Sequence, residues 1–284
     1  MPRVAIVTDS TADLPPGLAD EHGIAVVPLS VAFGDDVYRA GIDIDTDRFL
    51  ALLERAPQLP VTSQPSPEAF ASQYRALAAD HDAVVSIHLS GNLSGTLQSA
   101  TLAARDVADE IPVTVVDSGT VSMGLGMLAI SAARQARAGA SADAIAEAVT
   151  DESRRVEIVF MVDSLESLRR GGRIGRAASL LGTVLDLKPT LRLVDGEITP
   201  LERTRTRKRA IRNMVDRIRQ EPGISRICAA HTGRPADAAD LLKQFELLVP
   251  REEMYIAAMG PVVATHAGPG VIGLISVREN PTNG

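Results

Sequence analysis

Short, continuously apolar runs alternate with longer segments of helical spacing through the first half of the chain. The runs at 4–7, 25–27, 31–33, 83–87 and 113–116 have the pattern of strands buried on both faces. The segments at 67–79, 94–108 and 121–138 read as helices between them, and a further helix, Ala142–Ser153, follows Ser141 as its N-cap. Strands that alternate with helices predict a parallel sheet covered on both faces. The second half reads differently. Strands are predicted at 158–162, 191–194, 198–201, 227–230, 255–258 and 272–277, with Asp195-Gly196 as a hairpin turn between two of them. Helices are predicted at 179–184, 206–219 and 236–248. In the second of these, Ile211, Met214, Val215 and Ile218 form one apolar stripe. The expected fold is therefore α/β in two domains. Residues 1–155 form an N-terminal α/β domain with a parallel sheet, and 156–284 a C-terminal α+β domain with a mixed sheet.

Composition narrows the function. No apolar stretch approaches the roughly eighteen residues of a membrane span, and the N-terminal apolar run is too short for a signal peptide. A lone Cys228 forms no internal disulfide. A soluble, cytoplasmic protein is expected. Aromatic residues make up 3% of the chain and the net charge is −7, a poor match to nucleic-acid binding by stacking or by general charge. The charge is uneven, however. Residues 166–219 hold fourteen Lys and Arg against six Asp and Glu, a net of +8 that leaves −15 for the remainder. Such a stretch is either a solvated basic surface or a face that meets an anion or an acidic partner. The basic helix at 203–219 leaves a nucleic-acid reading open, against the overall charge.

Several chemistries are set aside. There is no phosphate loop, no G-x-G-x-x-G after the first strand and no H-E-x-x-H. Asp43, Asp45 and Asp47 start like a calcium loop, but Arg48 replaces the required Gly. Asp47 reads instead as a helix N-cap. No metal, no cofactor and no catalytic residue is expected. Three turns carry candidate binding chemistry. Gly91-Asn92-Leu93-Ser94-Gly95 follows a strand and precedes a helix predicted to start near Ser94, a place where an anion is favoured. Val61-Thr62-Ser63-Gln64-Pro65-Ser66-Pro67 leaves Thr62 and Ser63 as spare hydroxyls if Ser66 caps the helix that Pro67 begins. Thr265-His266-Ala267-Gly268-Pro269-Gly270 puts a His in a shaped loop. Each has an ordinary structural reading: a cap, a solvated turn, an incidental loop His. The Arg169-Arg170-Gly171-Gly172-Arg173 cluster offers guanidinium forks for oxyanions.

Together these segments resemble the DegV family of bacterial fatty-acid-binding proteins. The resemblance runs through Val7-Thr8-Asp9-Ser10-Thr11-Ala12-Asp13-Leu14-Pro15, Thr62-Ser63-Gln64-Pro65-Ser66, Ser94-Gly95-Thr96, Asp117-Ser118 with Ser122-Met123-Gly124, Gly171-Gly172-Arg173-Ile174, Lys188-Pro189 and His266-Ala267-Gly268-Pro269-Gly270. These segments span nearly the whole chain in the family's order. The resemblance implies a long-chain fatty acid, such as palmitate, in a buried tunnel. It implies that Thr62, Ser94 and His266 hold the carboxylate, with Ser63, Gly95, Thr96 and Gly268 in the supporting turns. It further implies a carrier subunit of bacterial fatty acid kinase, which presents the ligand to a separate ATP-binding kinase subunit. Arg170, Arg173 and Arg203 are then the residues facing that partner.

Physical chemistry is consistent with such a carrier. Burying about fifteen methylenes at roughly 0.8 kcal/mol each gives about 12 kcal/mol gross, and association removes roughly 4–15 kcal/mol. The tail would then supply affinity, while hydroxyls and a His fix the head group. The alternative is a serine hydrolase acting on acyl esters, with Ser94 as nucleophile and His266 as base. Against it, G-x-x-S-G is not the G-x-S-x-G elbow.

Overall fold

The computed structural model describes residues 2–182, 188–220 and 222–280. The first half runs β1 (Val4–Asp9), α1 (Leu18–His22), β2 (Ile24–Val27), β3 (Ser30–Phe33), β4 (Asp36–Arg39), α2 (Thr46–Leu53), β5 (Val61–Ser63), α3 (Pro67–Ala78), β6 (Ala83–His88), α4 (Thr96–Asp106), β7 (Val113–Asp117), α5 (Met123–Arg137) and α6 (Ala142–Ser153). The second half adds β8 (Val156–Met161), α7 (Glu166–Arg170), β9 (Lys188–Val194), β10 (Glu197–Thr204), α8 (Arg207–Arg219), β11 (Ile224–His231), α9 (Pro235–Leu242), β12 (Met254–Ala258), α10 (Pro261–Ala267) and β13 (Ile272–Arg278).

The fold is the expected mixture of a parallel sheet with helices and a mixed sheet. The strands β2-β1-β6-β7 are all parallel. The order β10-β9-β8-β13-β11-β12 is antiparallel apart from the β11–β12 pair. Helix α5 lies between the two sheets. From Met123 to Ile130 every residue is buried, as a helix apolar on all sides must be. Its core cluster joins Ile6, Val85 and Ile87 of the first sheet to Ile158, Cys228 and Ile275 of the second. The buried Arg226–Glu152 ion pair, with Arg226 also donating to the Met127 carbonyl at 2.7 Å, ties β11 to α6 and α5.

Some expectations are corrected. The run 31–33 does not join the parallel sheet. It forms the middle of a three-stranded antiparallel sheet, β4-β3-β5, because Gly34-Asp35 turns the chain straight back into β4. The cap of α2 is Asp45, whose carboxylate accepts from Arg48 N at 2.8 Å, and Asp47 sits inside the first turn. Helix α4 begins at Thr96 rather than Ser94. Helix α9 ends at Leu242 and passes into a single tighter turn, short of 248. The helix expected at 179–184 is instead a 3-10 helix over Gly175–Leu180, and 183–184 lie outside the described residues.

The Asp195-Gly196 hairpin is present, with both residues at positive φ (50° and 72°). Gly196 is required twice over, since its Cα also lies against the Ser90 side chain. Asn92 Nδ2 donates to the Asp195 carbonyl at 2.9 Å, so the β9–β10 hairpin docks on the turn that carries Ser94.

Candidate functional site

In the parallel sheet, β1 connects outward to β2 and β6 connects outward to β7 in the opposite direction. The crevice beyond the carboxyl ends of β1 and β6 is thus a topological switch point, the usual ligand position in open α/β sheets. Asp9 organises it. Its Oδ1 accepts from Thr11 N (3.0 Å) and the Thr11 hydroxyl (2.5 Å), and its Oδ2 accepts from Leu89 N (3.2 Å) and His88 Nδ1 (3.0 Å). Tyr74 donates to Ser86 (2.8 Å), which donates to His88 Nε2 (2.7 Å). Tyr74, Ser86, His88 and Asp9 are fully buried, and every member of the chain is satisfied. Although it runs Ser–His–Asp, this network does not border the cavity. It holds the turns that do.

A cavity occupies this crevice, where ligands usually bind in open α/β sheets. One wall is the turns after the parallel strands: Thr11, Leu89, Leu93, Ser94, Val121 and Ser122. A second is the inner face of the mixed sheet, with Ile158, Phe160, Leu193, Ile198, Ala230, Gly273 and Ile275. The third is β5 and α10, with Thr62, Gln64, Met259, Val262, Val263 and His266. Most of this lining is aliphatic.

Polar groups converge at one region of it. The Thr62 hydroxyl and His266 Nε2 are 2.8 Å apart. His266 is in the last turn of α10, not in a loop as the glycine-rich sequence suggested; the helix runs on until Gly268, at φ 87°, terminates it. At Gly268 a side chain would crowd Ser167. Burial, and secondarily the charge of Arg173, push the His266 pKa down to about 4, so the ring is neutral at pH 7. Its Nδ1 is buried without a partner. An unpaired buried acceptor is the lesser penalty than an unpaired N–H donor. The proton therefore sits on Nε2 and is donated to Thr62, which leaves the Thr62 hydroxyl hydrogen free.

Ser94 also lines the cavity. Its Oγ accepts from Thr96 N at 3.2 Å and lies 2.9 Å from the Thr96 hydroxyl. Gly95 borders Gln64, and Thr96 is buried in the first turn of α4. Ser63, the next residue on β5, is exposed on the other side of that strand and does not line the cavity. The pair that a hydrolase would need is not formed. Thr62 occupies His266, and Ser94 bonds within its own turn.

The three arginines separate. Arg173 lines the cavity, held by bonds from Nε to the Leu93 carbonyl (3.0 Å) and from Nη1 to the Gly171 carbonyl (2.7 Å). Arg170 lines an outer cavity that shares Thr62, Arg173 and His266 with the inner one. Arg170 pairs with Glu166 at 2.5 Å, and Arg169 pairs with the same carboxylate at 2.8 Å. Arg203 is exposed on β10 and borders neither cavity. Two elements of the site escaped the sequence reading. One is Gln64. The other is Asp13, in the left-handed region at φ 48°, whose buried carboxylate accepts from Ser122 Oγ (2.6 Å) and Gly260 N (2.8 Å) behind the cavity wall. Among the described residues, no cluster of side chains could hold a metal ion, and no helix is long and apolar enough to cross a membrane.

Comparison with known proteins follows the same lines. Residues 3–279 match the family model described as "Uncharacterised protein, DegV family". A DegV domain-containing protein of Streptomyces coelicolor is 40% identical over 277 residues, covering 96% of this chain and 98% of its own. Among solved structures, a DegV family protein of Thermus thermophilus, described for its fatty acid binding, superimposes with a TM-score of 0.90 at 37% identity. The match covers 98% of this chain and 100% of that one. DegV of Bacillus subtilis, described as a fatty acid binding protein, gives 0.89 at 34% identity with the same coverage.

Proposed function

This chain belongs to the DegV family, and on that premise we propose that it binds a long-chain fatty acid in the inner cavity. The observation that carries the proposal is the 2.8 Å contact of Thr62 with His266 in a mostly aliphatic cavity that Ser94 also lines. The structural relatives from Thermus thermophilus and Bacillus subtilis, both described as binding fatty acid, support it. In this reading the acyl tail lies along the inner face of the mixed sheet. The carboxylate accepts from the Thr62 and Ser94 hydroxyls. His266, neutral and protonated on Nε2, does not neutralise the ligand's charge; it turns the Thr62 proton toward it. Arg173 supplies the opposite charge from the cavity rim.

The reading extends to the basic surface. Arg170, at the outer cavity, and Arg203, on β10, are exposed cations suited to an acidic face of a separate ATP-binding kinase subunit, to which the chain presents the carboxylate for acyl-phosphate formation. The chain itself contributes no nucleophile in this scheme.

Native mass spectrometry of the purified protein, repeated after denaturation, tests the binding reading. A mass excess lost on denaturation and identified as a fatty acid is expected. A protein that carries no lipid and takes up no added palmitate would overturn it. For the second half of the reading, replacing both Thr62 and Ser94 is expected to abolish ATP-dependent acyl phosphate formation with a kinase subunit. Unaltered transfer would show the head group to be held elsewhere.

A further inference from the structure

Gln64 follows β5, two residues beyond Thr62, and both side chains line the inner cavity. Its carboxamide lies close to Gly95. A Cβ placed there would fall 2.6 Å from Nε2, 3.1 Å from Cδ and 3.3 Å from Oε1. Gly95 has a φ of −72°, which any residue adopts, so a glycine here provides room for Gln64 and not backbone freedom. Gly95 directly follows Ser94. The carboxamide therefore lies beside the turn that carries Ser94, while its own chain segment carries Thr62. Gln64 is partly open to solvent and, among the described residues, makes no hydrogen bond, so its amide donors are not spent within the protein.

From this geometry we infer that Gln64 is a fourth head-group residue, whose Nε2 donates to the ligand carboxylate between Thr62 and Ser94; the inference rests on the fatty-acid reading above. A carboxylate has about four lone-pair sites, and two hydroxyls fill two of them. An amide N–H₂ adds donors without adding charge. It also sets a preference. A carboxylate in its place would repel an anionic head group and tolerate a neutral one.

The test compares palmitate with 1-hexadecanol, matched in tail and different in head-group charge, by competition against a fluorescent fatty acid. Gln64→Glu is expected to weaken palmitate binding about tenfold or more, the loss of one charge-assisted hydrogen bond with repulsion added, and to leave hexadecanol within about twofold. Gly95→Ala pushes the Gln64 amide aside without touching its chemistry. It is expected to weaken palmitate in the same direction, and combining it with Gln64→Ala is expected to add nothing. Palmitate affinity unchanged in Gln64→Glu and in Gly95→Ala, while the unaltered chain binds palmitate, would overturn the role of Gln64 alone. A parallel loss of palmitate and hexadecanol in Gln64→Glu would also overturn it, since that marks a packing effect. An unaltered chain that binds neither ligand would overturn the underlying reading and this inference with it.

Discussion

Thr62 and His266, 204 positions apart in the chain, meet in a 2.8 Å hydrogen bond that decides which protons the site can offer. The imidazole is neutral because it is buried beside Arg173, and its Nδ1 has no partner, so Nε2–H donates to Thr62 and the Thr62 hydroxyl is free to donate onward. The neighbouring chain supports this placement. Gly171 lies so close to Nδ1 that a side chain there would displace the ring.

Thr62→Val is then the cleanest probe, because it preserves shape and removes the hydroxyl. Palmitate affinity is expected to fall roughly tenfold, the worth of a hydrogen bond to a charged group, while Thr62→Ser retains it. Isothermal titration of both variants checks this. Equal affinity in Thr62→Val and the unaltered chain would show that this hydroxyl does not face the head group.

Ala230, fully buried on β11, borders the cavity on the aliphatic side. Ala230→Leu adds volume to that space, not to a filled core, so its stability cost is expected to stay below about 1–3 kcal/mol. Bound lipid identified by mass spectrometry is expected to shift toward shorter acyl chains. An unchanged chain-length profile in a correctly folded variant would place the tail elsewhere.

How much of this was legible in the sequence depends on where the signal lay. Strands such as Val4–Asp9 and Ala83–His88 announce themselves because a strand buried on both faces must be apolar throughout. The Ser66 and Ser141 caps follow from local chemistry, and both accept the expected backbone N–H. The small sheet was not readable. Asp36–Arg39 alternates charge with exposed Val37, and Val61–Ser63 is too short for periodicity; tertiary pairing alone makes them strands. Helix α10 was hidden by the glycines after it, which suggested a loop for His266 although they only end the helix. Thr62, Ser94 and His266 were each ambiguous alone; only the fold brings them to one cavity. Gln64 stood within one of the resembling segments without a role of its own, because its place beside Gly95 in a distant turn is visible only in the fold.

The Arg226–Glu152 pair joins the halves of the chain, with both side chains about nine-tenths buried. Glu152→Ala removes the paired carboxylate from a buried guanidinium, leaving it the Met127 carbonyl and the more distant charge of Glu253. Destabilisation of about 3–5 kcal/mol is expected, or roughly 6–20 °C in Tm. Differential scanning calorimetry measures it. A shift under about 2 °C would mean that Arg226, through its bond to the Met127 carbonyl, is satisfied without the carboxylate.

Two buried groups make opposite demands on pH. His266 has its pKa lowered from 6.5 to about 4, chiefly by burial. Between those values the unfolded chain binds a proton that the folded chain does not, so this group makes stability rise with pH, with a limiting slope of about 1.4 kcal/mol per unit. Asp13 has its pKa raised from 3.8 to about 7, again chiefly by burial, against the bonds from Ser122 and Gly260. Between those values the folded chain holds the extra proton, so this group makes stability fall as pH rises. The windows overlap from about 4 to 6.5 and the two slopes offset each other there. Removing one group exposes the other. Relative to the unaltered chain, Asp13→Asn is expected to gain a rising component of Tm with pH across that window, and His266→Asn a falling one. Thermal melts at half-unit pH steps separate them. Changes of slope with the same sign in both variants would show that one of the two carboxyl and imidazole assignments is wrong, and the variant whose slope moves against expectation identifies which.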